Sequence, residues 1–81
     1  MTDYPVVIAE WERNALEVVR VSLDCYRGHY TIDIRVWWFA GKDLKPGKTG
    51  ITLGVRNLEQ LAKAINDARA RAAEIGLVDR G

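Results

Sequence analysis

Polar and apolar positions alternate along residues 16–26, LEVVRVSLDCY. Val19, Val21, Leu23 and Cys25 fall on one side, and Arg20, Ser22 and Asp24 on the other. Successive side chains of a strand point to opposite faces, so this period of two predicts a strand with one buried face. Residues 29–39, HYTIDIRVWWF, alternate again: Tyr30, Ile32, Ile34 and Val36 oppose Thr31, Asp33, Arg35 and Trp37. Arg27-Gly28 between the two runs is a turn signal, with Gly28 free to take positive φ. The pair therefore predicts an antiparallel hairpin with one core face and one polar face, and Tyr26 falls on the polar side. VVIAEWE (6–12) predicts a first strand and residues 13–15 a turn. AGKDLKPGK (40–48), punctuated by Gly41, Pro46 and Gly47, predicts a loop, and TGITLGV (49–55) a short fourth strand.

From residue 57 the period changes. Asn57 with Gln60 three residues on reads as a capping box, and the helix it opens runs to about Ile75. Gly76 suits the first residue beyond the helix, with Leu77 as its hydrophobic neighbour. Leu58, Leu61, Ile65, Ala68, Ala72 and Ile75 follow one another at spacings of 3, 4, 3, 4 and 3. That heptad seam suits packing against another helix more than a broad sheet. The chain holds one long helix, so the partner of this seam is either the chain's own sheet or the same helix of a second subunit. A strand-rich sheet plus one helix gives an α+β fold, with a homodimer expected.

Composition agrees with one small globular domain. Eighty-one residues make one domain, 1–81, with 48% hydrophobic and 28% charged side chains. That is a globular composition, and a chain of this size buries only about 60–65% of its unfolded surface, so it gains from association. No apolar run approaches the roughly 20 residues needed to span a bilayer, so no membrane partner is expected. The N-terminus MTDYPVVIAEWE lacks the basic and long apolar stretches of a signal peptide. Cys25 is the single cysteine, which excludes an intramolecular disulfide and suits a reducing compartment; the expected location is cytoplasmic, at the nucleoid if the source is prokaryotic.

Charge is distributed unevenly along the chain. The net charge of +1 conceals three blocks. Residues 1–25 carry two basic and five acidic side chains, residues 26–56 six basic and two acidic, and residues 57–81 four of each. A basic field confined to the hairpin and the segment after it points to an anionic partner.

Catalysis finds no support in the residue types. His29 is the only histidine, Cys25 lies on the apolar side of its strand, and Asp33 has no carboxylate partner for acid–base work. Gly47-Lys48-Thr49 lacks the first glycine of a phosphate-binding loop, and a strand rather than a helix follows it. Cys25 and His29 have no metal-ligand spacing with other groups, so neither a metal nor another cofactor is expected. Single-stranded nucleic acid is the better match, because it is held by aromatic rings that stack on bases and cations that follow the phosphates. Tyr26, Arg35 and one of Trp37 and Trp38 offer this on the polar face, Arg27 and His29 add to it at the turn, and Lys42, Lys45 and Lys48 line its rim. Strict alternation turns Trp37 outward; a bulge in this strand exchanges the two tryptophans. No basic recognition helix is present, which disfavours reading of duplex DNA.

The ordered set Tyr26-Arg27-Gly28, IDIR (32–35), Trp37-Trp38, KPGK (45–48) and Gly-Ile-Thr-Leu (50–53), closed by a helix, resembles the C-terminal domain of the transcriptional coactivator positive cofactor four. The likeness covers roughly residues 6–66 and looks like the short prokaryotic members of that family. It implies a curved four-stranded antiparallel sheet, helix-mediated dimers and grooves for single-stranded or unwound DNA with little sequence preference. It further implies stacking by Tyr26 and Trp38, which requires the bulge, and phosphate contacts by Arg27, Arg35, Lys45 and Lys48. Leu58, Leu61, Ile65, Ala68 and Ala72 form the implied dimer seam. The chain departs from the family at Asp24, His29 and Thr49, where members are commonly basic, so weaker binding and a shallower salt dependence are expected. RNA binding on the same fold and a protein-interaction role are the alternatives.

Overall fold

The computed structural model describes residues 2–78. Four antiparallel strands, β1 (Val6–Asn14), β2 (Glu17–Tyr26), β3 (His29–Ala40) and β4 (Asp43–Gly54), lie in sequence order in one sheet. A single 3₁₀ turn (Val55–Asn57) leads into α1 (Leu58–Glu74). The α+β architecture expected from the hydrophobic pattern is the one observed. No helix among the described residues is long and apolar enough to cross a membrane.

The central hairpin is regular. β2 and β3 pair without interruption from Tyr26 opposite His29 to Glu17 opposite Trp38. Arg27 and Gly28 both have positive φ, 52° and 78°, as a two-residue type I′ turn requires. Register partners share a face. One face therefore carries Val19, Val21, Leu23, Ile32, Ile34 and Val36, together with Glu17 and Trp38 at its far end. The other carries Val18, Arg20, Ser22, Asp33, Arg35 and Trp37.

The edge strands are irregular. β1 slips register around Ile8 and again around Arg13. β4 slips between the pairs Arg35–Gly50 and Trp37–Pro46, so Gly47, Lys48 and Thr49 bow out opposite Val36 alone. The segment 40–48 is thus mostly strand, with only Gly41-Lys42 as the turn, which corrects the loop expected from its glycines and proline. An edge strand tolerates both residue types, because it can leave one side without ladder bonds and absorb a bulge. β3 holds no bulge and keeps its alternation, so the two tryptophans are not exchanged and Trp38 stays on the face of Ile34 and Val36; the bulge lies in β4.

Two glycines make that bulge possible. A Cβ on Gly47 would sit 2.7 Å from the Val36 carbonyl oxygen, and one on Gly50 would sit 2.7 Å from the Ile34 carbonyl oxygen and 2.9 Å from the Arg35 Cα. Gly50→Ala is expected to destabilise the fold by about 1–3 kcal/mol, since backbone must move to admit the methyl group. Equilibrium urea unfolding reads this directly as a lower midpoint.

The helix begins differently from expectation. Asn57 adopts a right-handed helical conformation at the end of the 3₁₀ turn and makes no side-chain cap bond; its Nδ2 donates instead to the Gly54 carbonyl at 3.2 Å. The capping box with Gln60 does not form, because a cap residue needs extended φ/ψ and the preceding turn denies it. The other end follows expectation. Gly76 has φ 80°, its N–H donates to Ala73 O at 3.2 Å, and the Leu77 N–H donates to Ala72 O at 2.8 Å. These are the two bonds of a Schellman closure.

Little of the chain is buried. Among the described residues the buried hydrophobic side chains are Val18 and Ile32, and no residue of α1 is buried. Leu58 and Leu61 are half-buried beside the 3₁₀ turn, whereas Ile65 is 54% exposed further along the same seam. The helix does not lay its seam on its own sheet. A compact monomer of 9.1 kDa exposes about 4,900 Å², whereas this chain exposes 6731 Å². Its radius of gyration is 14.9 Å against about 12 Å for a compact chain of this length.

Candidate nucleic-acid interface

The two tryptophans are separated by the strand's own geometry. Trp37 shares a face with Arg20 and is half-buried; the Arg20 guanidinium carbon lies 4.2 Å from the ring centroid. Arg20 is held there from its other side, because its Nε donates to Glu10 Oε2 at 2.6 Å. The Trp37 Nε1 is buried and makes no hydrogen bond among the described residues, so packing and the cation–π contact hold the ring. Trp38 points to the opposite face, with 44% of its surface exposed. Its register partners are Glu17 on β2 and Lys45 on β4. It also faces the bulge: its Cδ1 lies 3.8 Å from where a Cβ on Gly47 would stand.

Arg35 anchors the other side of that bulge. Its Nη1 donates to the Gly47 carbonyl at 3.1 Å, its Nη2 to Asp33 Oδ1 at 3.1 Å, and its Nε to Asp33 Oδ2 at 3.2 Å. Thr52 closes the cluster: its hydroxyl donates to Asp33 Oδ1 at 2.6 Å and accepts from Arg35 Nη2 at 3.3 Å. A guanidinium has five N–H donors in a fixed fork, so Arg35 spends most of them on the IDIR strand and the β4 backbone. It shapes the KPGK segment as much as it offers charge.

Lys42, Lys45 and Lys48 are exposed and form no salt bridge among the described residues. The edge strand and its bulge thus present three uncompensated ammonium groups along one border of the sheet. Arg27 is likewise free of carboxylates; its guanidinium lies 5.2 Å from the Tyr26 ring, and Tyr26 is 67% exposed. Tyr26 and Trp38 are not brought together. They stand at opposite ends of the hairpin, about 30 Å apart along the strands, and alternation places them on opposite faces. Arg56 and His29 line a groove of about 390 Å³ between the hairpin turn and the 3₁₀ turn, and Arg56 adds a cation at the Tyr26 end. Arg56 is one of the six basic residues of the 26–56 block, and the β3–β4 pairing carries it beside the turn.

Arg27 occupies a position that favours glycine or asparagine. A left-handed conformation costs an ordinary L-residue roughly 1–2 kcal/mol. Arg27→Asn is therefore expected to raise stability by up to about 1 kcal/mol while weakening polyanion binding. Thermal melts together with oligonucleotide titrations separate the two effects.

A family model described as Transcriptional Coactivator p15 (PC4) matches residues 14–64. Among solved structures, the chain is similar to BPSL1147, a PC4 homolog from Burkholderia pseudomallei. The TM-score is 0.74 at 26% identity, covering 85% of this chain and 95% of that one. It is similar to MoSub1 in a complex with ssDNA, with a TM-score of 0.64 and 33% identity over 83% of this chain and 78% of that one. It also shares its fold with the bacteriophage T5 homolog of the eukaryotic transcription coactivator PC4 implicated in recombination-dependent DNA replication. There the TM-score is 0.64 at 23% identity, over 91% of this chain and 98% of that one. No curated protein matches the chain.

Proposed function

Because the chain belongs to the transcriptional coactivator p15 (PC4) family, we propose that it binds single-stranded or unwound DNA as a homodimer, by stacking and charge pairing and without catalysis. The observation that carries this reading is the exposed Trp38 ring with Lys45 directly across the strand and the free ammonium of Lys48 in the adjoining bulge. An exposed indole offers a face to any base, and stacking contributes about 1–3 kcal/mol per base without regard to sequence. Trp38 is the primary platform in this reading and Tyr26, paired with Arg27, a second contact at the hairpin tip. Trp37 supports the sheet from the other side beneath Arg20. The MoSub1 complex with ssDNA lends support from a relative of the same fold.

Exposed area supports the dimer. The chain exposes 6731 Å², roughly 1,800 Å² more than a compact monomer of its mass, and an obligate homodimer interface covers about 1,000–2,500 Å² per partner. The helix seam, with Ile65 at its exposed centre, supplies part of that surface.

Filter binding of labelled oligo-dT, challenged in parallel with duplex DNA and with oligo-U, tests the function. Single-stranded DNA is expected to resist duplex competitor by at least about tenfold at modest salt. Equal competition by duplex contradicts the reading, and preferential capture by oligo-U reassigns the site to RNA.

A further inference from the structure

Trp38 shares its groove with a carboxylate. A groove of about 560 Å³ at the β1–β2 turn is lined by Asn14, Ala15, Leu16, Glu17, Trp38 and Phe39. Leu16 and Phe39 form its apolar wall, fixed by the Phe39 N–H donating to Leu16 O at 3.1 Å. Glu17 is the register partner of Trp38, so its carboxylate stands beside the indole on the same face. The carboxylate is oriented by its neighbours: Asn14 Nδ2 donates to Oε1 at 2.8 Å, and Arg13 Nη1 lies 3.6 Å from the same oxygen. Asn14 is itself locked, since its Oδ1 accepts from the Leu16 N–H at 2.9 Å. Oε2 takes no hydrogen bond among the described residues.

An ionised carboxylate accepts hydrogen bonds and cannot donate them. Stacking on Trp38 does not distinguish one base from another, but the edge of a stacked base meets this acceptor. Cytosine, adenine and guanine carry an exocyclic amino group that donates. Thymine offers one ring N–H between two carbonyl oxygens, and those oxygens are repelled by a carboxylate. A glutamate beside phosphates also lowers the affinity for any strand, and it recovers that loss only where the base edge donates to it.

We propose that Glu17 makes the Trp38 groove selective for bases bearing an exocyclic amino group, and against thymine. The proposal rests on Trp38 being the stacking platform of the single-strand reading above. Pyrimidines alone suffice for the test, and they avoid differences in ring size. Intrinsic tryptophan fluorescence is used to titrate the full chain with oligomers of equal length, at one salt concentration and neutral pH, made of cytosine, 5-methylcytosine or thymine. 5-Methylcytosine shares the thymine methyl group and differs at the hydrogen-bonding edge. Wild type is expected to bind both cytosine oligomers about three- to tenfold more tightly than the thymine oligomer. In Glu17→Gln, which retains an acceptor for Asn14 and gains a donor for the thymine carbonyls, the thymine oligomer tightens and the ratio falls to within about twofold. Equal affinities in wild type, or an unchanged ratio in Glu17→Gln, overturn the selectivity and leave the single-strand reading standing. Absence of binding to all three oligomers overturns both.

Discussion

Trp38→Ala lowers the affinity for oligo-dT by about five- to 150-fold, the equivalent of the 1–3 kcal/mol that one stacked base contributes. The ring is 44% exposed and borders the bulge instead of filling the core, so its removal leaves the unfolding midpoint nearly unchanged. Trp37→Ala gives the opposite result. That ring is half-buried beneath Arg20, which is fixed in turn by Glu10. Its loss removes the packing under a charged pair and costs roughly 2 kcal/mol of stability, while a variant that remains folded keeps most of its affinity. Paired melts and titrations of the two variants assign the two aromatics. A Trp37 variant that loses binding while Trp38→Ala keeps it reverses the assignment.

Ile65→Asp produces monomers. Ile65 stands at the centre of the helix seam and is 54% exposed in the single chain, so the substitution adds no charge to a monomer's interior. In a dimer built on that seam it buries a carboxylate against its symmetry mate, and an unpaired buried charge costs several kcal/mol. Sedimentation equilibrium is expected to give twice 9.1 kDa for wild type and a single 9.1 kDa species for the variant. The loss of a second linked site weakens binding to long oligonucleotides by at least about tenfold. A wild type that sediments as a monomer, or a variant that stays dimeric, contradicts the seam.

Much of the architecture was written in local pattern. The Arg27-Gly28 turn, the alternation of β2 and β3 and the Schellman closure at Gly76 each depend on residues adjacent in sequence, where one physical rule decides the outcome. Local rules failed where the decisive neighbour lay on another element. Pro46 and Gly47 punctuate a loop in isolation, but at a sheet edge they accommodate a bulge that needs Gly47 and Gly50 against the β3 carbonyls. Asn57 and Gln60 have the spacing of a capping box, but the 3₁₀ turn before them fixes Asn57 in the wrong conformation. The site was legible as a set of residue types and less so as a set of partners. Arg35 belongs to Asp33, Thr52 and the Gly47 carbonyl, and Arg20 covers Trp37. The pairing of Glu17 with Trp38 exists only once the strands are in register. Alternation did place Trp37 on the face of Arg35, as the hydrophobic pattern implies; what it could not say is that an arginine from β2 already occupies that face.

Single-strand binding rests on an aromatic platform with a lysine rim. Titrating the protein with oligo-dT of graded length while following tryptophan fluorescence, at several salt concentrations, measures both parts at once. Saturable quenching is expected, strengthening with length until both protomers are engaged. The logarithm of affinity should fall with the logarithm of salt at a slope near −3 per protomer, about 0.7 for each of Arg27, Lys42, Lys45 and Lys48. Unquenched fluorescence at saturating oligonucleotide, or an affinity insensitive to salt, would contradict it.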